Sequence, residues 1–408
     1  MSQAIVFFRF IKRISKLKLF YKQNSIPANK NLENIVTGLV NEKLRRNCRI
    51  LVAPLDWGLG HATRCIPIIS ELVERRCDVW LAGAGMPKSL LRSEFPDLPF
   101  LPLNGYNIRY SASREIFALK ILSQVPRIIF EINREHRWLN KMVRSHGFDA
   151  VISDNRFGLF HRSIPSIFVS HQLHIKTSLG PRAERILEKW NYGYINRFSE
   201  CWVPDLEGET NLAGELSHPV YQPAIPVRYL GVLSRLKKTG SAEVRDHVLF
   251  ILSGPEPQRT ILENKVVDEV SHYPGTASVV RGLPSSSSVI PSTGMIRFYN
   301  HLTSEELNEE MSKAEWVISR SGYSTIMDIF KLRKKSILIA TPGQSEQEYL
   351  AERLHKNGIA FTIDQNDFSL AGALERARRF NYRMLEVPDS ELKLVVGDFL
   401  RGLASGNS

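Results

Sequence analysis

The chain is poor in cysteine. Cys48, Cys65, Cys77 and Cys201 are the only four in 408 residues, and none forms a C-x-x-C pair. That excludes a disulfide scaffold, argues against a structural zinc site and fits a reducing compartment. Long apolar runs are lacking as well. The uncharged run over residues 4–8 is far short of the roughly 20 residues that span a bilayer, Arg9 stops it before a signal-peptide core develops, and no later segment is a spanning candidate. Acidic residues are scarce only at one end. Of the net charge of +12, residues 1–46 carry +8, from ten Lys/Arg against Glu33 and Glu42, which leaves +4 for the rest. A nucleic-acid enzyme would carry a basic stripe with interleaved aromatics on its folded body, so no nucleic-acid partner is expected. With 43% hydrophobic residues, packed cores are expected rather than disorder.

Residues 1–47 read as a basic amphipathic leader. Val6, Phe7, Phe10, Ile11, Ile14 and Leu17 recur at helical spacing, with Arg9, Lys12, Arg13 and Lys16 on the opposite face. One reading of residues 1–22 is an interfacial anchor on an anionic leaflet, each nearby cation contributing on the order of 1 kcal/mol. The other is a solvated leader, or a start codon placed too far upstream.

From residue 49, short β-rich runs alternate with amphipathic stretches. Strands are expected at 49–54, 78–83, 149–153, 165–170 and 201–204, and helices at 62–76, 114–146 (kinked or broken at Pro126) and 182–198. A second series follows a loose stretch at 206–246. Its strands are expected at 247–252, 277–280, 295–299, 316–319 and 336–340, and its helices near 258–271, 303–313, 324–332, 345–357 and 367–380. Residues 284–292 form a polar loop, read as a lid or insertion, and a last helix at 389–403 could pack on either domain. Continuous apolar strands separated by helices indicate parallel sheets covered on both faces. The chain is therefore expected to be α/β, with two doubly wound domains facing a central cleft: 48–230, a linker at 231–246, 247–385, and a helix and tail at 386–408. In such domains ligands bind at the carboxyl ends of the strands.

The loops at those ends are informative. After the first strand, Gly58 and Gly60 permit close backbone approach, and His61 begins a helix, where an imidazole is biased towards its neutral, proton-accepting form. No G-K-[ST] follows, so this is not a phosphate P-loop. Asp154, Asn155 and Arg156 follow a later strand, and His171 and Gln172 the next. These would share a rim with His61, although turn and cap chemistry explains each cluster equally well taken alone. In the second domain Ser253, Gly254 and Arg259 follow one strand. Arg320, Ser321, Gly322, Ser324 and Thr325 join another to its helix, with Asp328 one turn in, and Gln344, Glu346 and Gln347 open a further helix. Hydroxyls, glycine and helix N-terminal N–H groups suit a diphosphate, Asp328 a ribose, and the amide and carboxylate groups a sugar ring.

These motifs (GLGH, SGPEPQR, SRSGYST with Asp328, and PGQSEQEYLA) resemble, over residues 48–380, the GT-B-fold nucleotide-sugar glycosyltransferases of the family 28 type, related to the N-acetylglucosaminyltransferase that forms peptidoglycan lipid II. The resemblance implies a GT-B fold of two Rossmann-like domains. It implies a UDP-sugar as co-substrate with no other cofactor and no bound metal, a donor site in the second domain and an acceptor site in the first. Ser321 and Gly322 would meet the diphosphate, Asp328 the ribose, and Glu346 and Gln347 the sugar. Asp328 stands where that family usually has glutamate, Leu350 where it commonly has asparagine, and SGPEPQR replaces a more glycine-rich loop.

The expected reaction is inverting, metal-independent transfer of N-acetylglucosamine or a related hexose to an acceptor hydroxyl. The chain contains no D-x-D triplet for a metal-bound diphosphate, so helix N-termini, assisted by Arg320 or Arg259, would stabilise the leaving group. The base is assigned to His61 first, Asp56 second and Asp154 third. Gly58, Gly60, Asn155, Arg156, His171 and Gln172 would line the acceptor side, and the acceptor could be a lipid-linked saccharide. The protein is expected in the cytoplasm, at the inner face of the membrane if the leader anchors it. A nucleotide-sugar hydrolase of the same fold is the nearest alternative, a nucleotide-sugar 2-epimerase a weaker one, and a non-catalytic nucleotide-sugar-binding subunit an alternative of another class.

Overall fold

The computed structural model describes residues 47–106, 114–240, 242–284, 286–386 and 390–405, with only the backbone of 114–123. The expected leader helix lies outside the described residues.

Two wholly parallel sheets form the frame. The first has seven strands in the order β3-β2-β1-β4-β5-β6-β7: β1 (Arg49–Pro54), β2 (Asp78–Gly83), β3 (Phe100–Pro102), β4 (Ala150–Asp154), β5 (Ser166–Val169), β6 (Glu200–Val203) and β7 (Val227–Tyr229). The second has six, in the order β10-β9-β8-β11-β12-β13: β8 (Val244–Ile251), β9 (Thr276–Val280), β10 (Ile296–Tyr299), β11 (Ala314–Ser319), β12 (Ser336–Leu338) and β13 (Phe361–Thr362). In each sheet the strand order reverses once, between β1 and β4 and between β8 and β11. Loops leaving neighbouring strands there diverge to opposite faces and open a crevice.

The buried stretches of the central strands, residues 50–53, 150–152 and 248–250, are apolar because helices cover both faces. These helices are α1 (Gly60–Glu74), α2 (Gly85–Glu94), α3 (Arg114–His146), α4 (Pro181–Ile195), α5 (Gln258–Ser271), α6 (Ser304–Lys313), α7 (Tyr323–Leu332), α8 (Ser345–Lys356) and α9 (Leu370–Arg378). Helix α3 runs through Pro126 without a break. The short elements β3, β7 and β13, and helix α2, gave no periodic signal. The three strands sit at sheet edges, where two or three residues suffice.

The last helix, α10 (Glu391–Ser405), crosses back onto the first domain. Phe399 meets Trp202 edge-on at 5.3 Å, and Arg228 Nη2 lies 2.5 Å from Asp398 Oδ2. An apolar cluster also joins the domains, running from Val52 and Ile152 through Leu206 and Leu212 to Tyr323, Ile326 and Leu350. The 284–292 loop is fastened from below, with Arg281 Nη1 donating to Ser288 O at 2.8 Å and Asn300 Nδ2 to Ser286 O at 2.9 Å. Among the described residues no helix is long and apolar enough to cross a membrane.

Candidate active site

Register decides the first contact. Pro54 of β1 pairs with Asp154 of β4, so the carboxylate that ends β4 lies beside the loop that leads into α1. His61, in the first turn of α1, brings Nδ1 to 2.6 Å from Asp154 Oδ1. Arg64 stands one turn further on the same face. Its Nη2 lies 2.5 Å from the same oxygen, and its Nε donates to Oδ2. Arg64 Nη2 also lies 2.7 Å from Nδ1, but it donates to Asp154 Oδ1, and a lone pair on Nδ1 would point at the ionised carboxylate; the proton therefore sits on Nδ1 and leaves Nε2 as the acceptor. Burial alone would raise the Asp154 carboxyl, but Arg64 and His61 hold it down to about 2. Burial, and then the Arg64 charge, lower the His61 imidazole against the opposing pull of Asp154. The result is a neutral imidazole with its second nitrogen oriented by a permanent carboxylate.

Across the cleft, α7 begins at Tyr323 with no side-chain cap, as α1 does at Gly60. The two helix starts touch, with Ser324 Oγ donating to Gly60 O at 2.8 Å. Tyr323 is buried and its ring stacks on His171 at 4.2 Å and 11°. His171 follows β5, and its Nε2 lies 2.7 Å from Glu346 Oε1 at the start of α8, while its Nδ1 faces Arg64 Nη1 at 3.0 Å. Burial would raise the Glu346 carboxyl, yet His171 and Arg64 bring it below its ordinary value. A polar chain therefore runs Asp154–Arg64–His171–Glu346 from one domain into the other.

Several expected site residues stand elsewhere. Asp154 stays beside His61 and Arg64 but is fully enclosed, off the rim expected of it. Arg156 is wholly buried: it donates to Pro54 O and Asn104 O and pairs with Glu135 Oε1 at 2.5 Å, which makes it framework rather than rim. Asn155 takes a left-handed turn at φ +52°, its N–H bonded to Val169 O. Gln172 is tied by its backbone to Ser170 Oγ and Asn191 Nδ2. Asp56 is half-buried against Gly105, where a Cβ would lie 1.6 Å from Oδ2, and among the described residues its Oδ1 meets no hydrogen-bond partner. Gly58, at φ +69°, lies in open space.

In the second domain, Gly254 turns at φ +109° beside a half-buried Ser253. Arg259 is spent on Glu256 at 2.5 Å and Glu263 at 3.1 Å. Arg320 is fully buried under the β11–α7 loop. Its partners among the described residues are neutral oxygens, those of Ile339, Ala340, Gln258 and Gln365, and burial lowers it to about 10. Ser321 Oγ donates to Gln347 O, and Gln347 Oε1 accepts the Thr341 N–H, so both stitch neighbouring loops together. Gly322, Thr325 and Gln344 are half-buried at the starts of α7 and α8. Asp328 is nearly buried, and its Oδ1 accepts from Ser234 Oγ at 2.5 Å. Burial raises its carboxyl to about 6 despite Arg235 nearby.

The structure thus gathers His61, Asp154, His171, Ser324 and Glu346 and adds Arg64 and Tyr323 to them; Ser234, which bonds Asp328, is a further contact that the sequence alone did not single out. Arg64 was legible as His61 plus one helical turn. Tyr323 and Ser234 act across domains and left no local signal.

This frame of two parallel-sheet domains meeting at their switch points is the GT-B architecture, and the chain is a glycosyltransferase of the GT-B type. More narrowly, residues 296–391 match the glycosyltransferase family 28 C-terminal domain, a range that includes Arg320 to Gln347. In sequence the chain is 24% identical over 332 residues to a UDP-N-acetylglucosamine–N-acetylmuramyl-(pentapeptide) pyrophosphoryl-undecaprenol N-acetylglucosamine transferase of Clostridium perfringens, covering 76% of this chain and 84% of the relative. Solved structures that share the fold include the kitacinnamycin glycotransferase, with a TM-score of 0.56, 13% identity and coverage of 88% of this chain and 95% of that one. Another is the glycosyltransferase SnogD from Streptomyces nogalater, with a TM-score of 0.55, 13% identity and coverage of 87% and 100%.

Proposed function

We propose that the chain is an inverting, metal-independent transferase that moves N-acetylglucosamine or a related hexose from a UDP-sugar to the hydroxyl of a lipid-linked saccharide. The observation that carries this reading is the His61–Asp154 pair at 2.6 Å, set where the starts of α1 and α7 meet. His61 Nε2 takes the acceptor hydroxyl proton and the freed oxygen attacks the anomeric carbon. The carbon–oxygen bond to the diphosphate breaks, and its electron pair leaves on the phosphate. One displacement inverts the centre. The uncapped N–H groups of α7, with the buried Arg320 charge on the same loop, favour the departing anion without a metal. The UDP-sugar and the lipid-linked acceptor class are those of the Clostridium perfringens relative, whose likeness supports this reading. An anionic-membrane contact through residues 1–22 and a place at the inner membrane face accord with such an acceptor.

The test is UDP release from UDP-N-acetylglucosamine with and without a detergent-solubilised bacterial lipid extract, in the presence of EDTA. Extract-dependent release is expected, and His61→Ala should lower it at least about 100-fold while UDP-N-acetylglucosamine binding persists. Equal release of UDP and free sugar without extract would make the enzyme a hydrolase. Loss of turnover in EDTA would overturn metal independence.

A further inference from the structure

We infer that His171, a residue of the first domain, is a positioning residue for the donor sugar bound by the second. It acts by holding the Glu346 carboxylate in the orientation that reads sugar hydroxyls, an inference that rests on the transferase reading above. Among the described residues no carboxylate meets His171 Nδ1, as Asp154 meets His61 Nδ1, so the guanidinium donor Arg64 Nη1 at 3.0 Å places the lone pair of His171 on Nδ1. The proton is therefore on Nε2, and it is donated to Glu346 Oε1 at 2.7 Å. Stacking on Tyr323 at 4.2 Å and 11° fixes the plane in which that donor points. With Oε1 engaged and the side chain one-third exposed, Oε2 is the acceptor that remains for a hydroxyl. Gln347, the neighbouring residue of the expected sugar-reading pair, has already committed Oε1 to the Thr341 N–H. Glu346 is therefore the acceptor of the pair, and Gln347 keeps its Nε2 donor.

The consequence is a division of labour. The nucleoside diphosphate is held by second-domain groups alone, whereas the sugar is read by a carboxylate that the first domain orients. Removing the His171 donor should weaken the sugar's share of binding and leave the nucleotide's share intact. Arg64 joins both functions, since one guanidinium faces the Asp154 that orients the base and the ring that orients Glu346.

The experiment compares the Kd of UDP and of UDP-N-acetylglucosamine in the full-length protein by calorimetry. His171→Phe keeps a ring against Tyr323 but loses the donor, and it is expected to weaken UDP-N-acetylglucosamine binding about tenfold or more with UDP unchanged. His171→Gln, which offers an N–H in place of Nε2, is expected to restore most of that affinity. Glu346→Gln should lose a similar factor, and adding His171→Phe to it should cost little more. Equal weakening of UDP and UDP-sugar, or unchanged selectivity in His171→Phe, would overturn the inference while leaving the transferase reading standing. A wild-type protein that binds neither ligand would overturn both.

Discussion

His61 Nδ1 and Asp154 Oδ1 lie 2.6 Å apart although 93 residues separate them in the chain. The contact exists because β1 and β4 are adjacent and in register, and it converts a histidine on a glycine loop into an oriented base. Arg64 then makes the pair asymmetric in cost. His61→Ala leaves Asp154 with its bidentate arginine and should lower thermal stability by less than about 1 kcal/mol. Asp154→Asn leaves a buried guanidinium without its anion, which should cost roughly 3–5 kcal/mol. It also replaces one carboxylate oxygen with an amide donor, so the Nδ1–H tautomer of His61 is no longer enforced and turnover should fall about 100-fold or more as well. Melting curves and rates of the two variants separate these effects.

The pH profile follows from the same pair. Burial and the Arg64 charge lower the His61 imidazole from the ordinary histidine value of about 6.5. A base must be neutral, so kcat/KM should be flat at neutral pH and lose activity only on the acid side, with its midpoint below that value. A midpoint at or above about 6.5 would remove His61 from the role.

Asp328 has the opposite sense. Its folded-state value of about 6 exceeds the unfolded carboxylate value of about 3.9, so the folded protein binds more protons between them. Stability from this group is present below the unfolded value and is lost as pH rises through the folded one. Asp328→Asn should therefore gain on the order of 1–2 kcal/mol above pH 6 and change little below pH 4. The same change should weaken UDP binding if the carboxylate reads the ribose. Urea titrations at two pH values and one binding isotherm test both halves.

Gly214 marks where the domains are fitted together. Its φ is +56°, and an added Cβ would lie 2.4 Å from Tyr349 Oη and 2.7 Å from the Arg353 guanidinium, both on α8. Tyr349 Oη accepts the Glu215 N–H, and Arg353 donates to Asn211. Gly214→Ala should combine left-handed strain with a displaced α8, lower stability by about 2 kcal/mol and raise the radius of gyration in solution scattering. Unchanged scattering would show that α8 absorbs the methyl locally.

Much of this protein was legible locally. Apolar strands such as 49–54 and 277–280 cannot be half-solvated, so their alternation with helices already required two parallel sheets covered on both faces. The glycine loop before His61 and the SRSGYST turn already marked the strand ends where a ligand would sit. What the chain order could not decide was which polar groups at those ends meet. Asp154 ends β4, and Arg156 lies two residues further on. Yet Arg156 turns inward to Glu135, while Asp154 turns to His61 and Arg64, because strand register and helix placement put those partners there. The same holds for His171, whose neighbours Arg64, Tyr323 and Glu346 come from three distant helices. Local sequence determines backbone habit through short-range sterics and burial periodicity. The pairing of charges depends on long-range packing, which only the folded domains and their mutual contact decide.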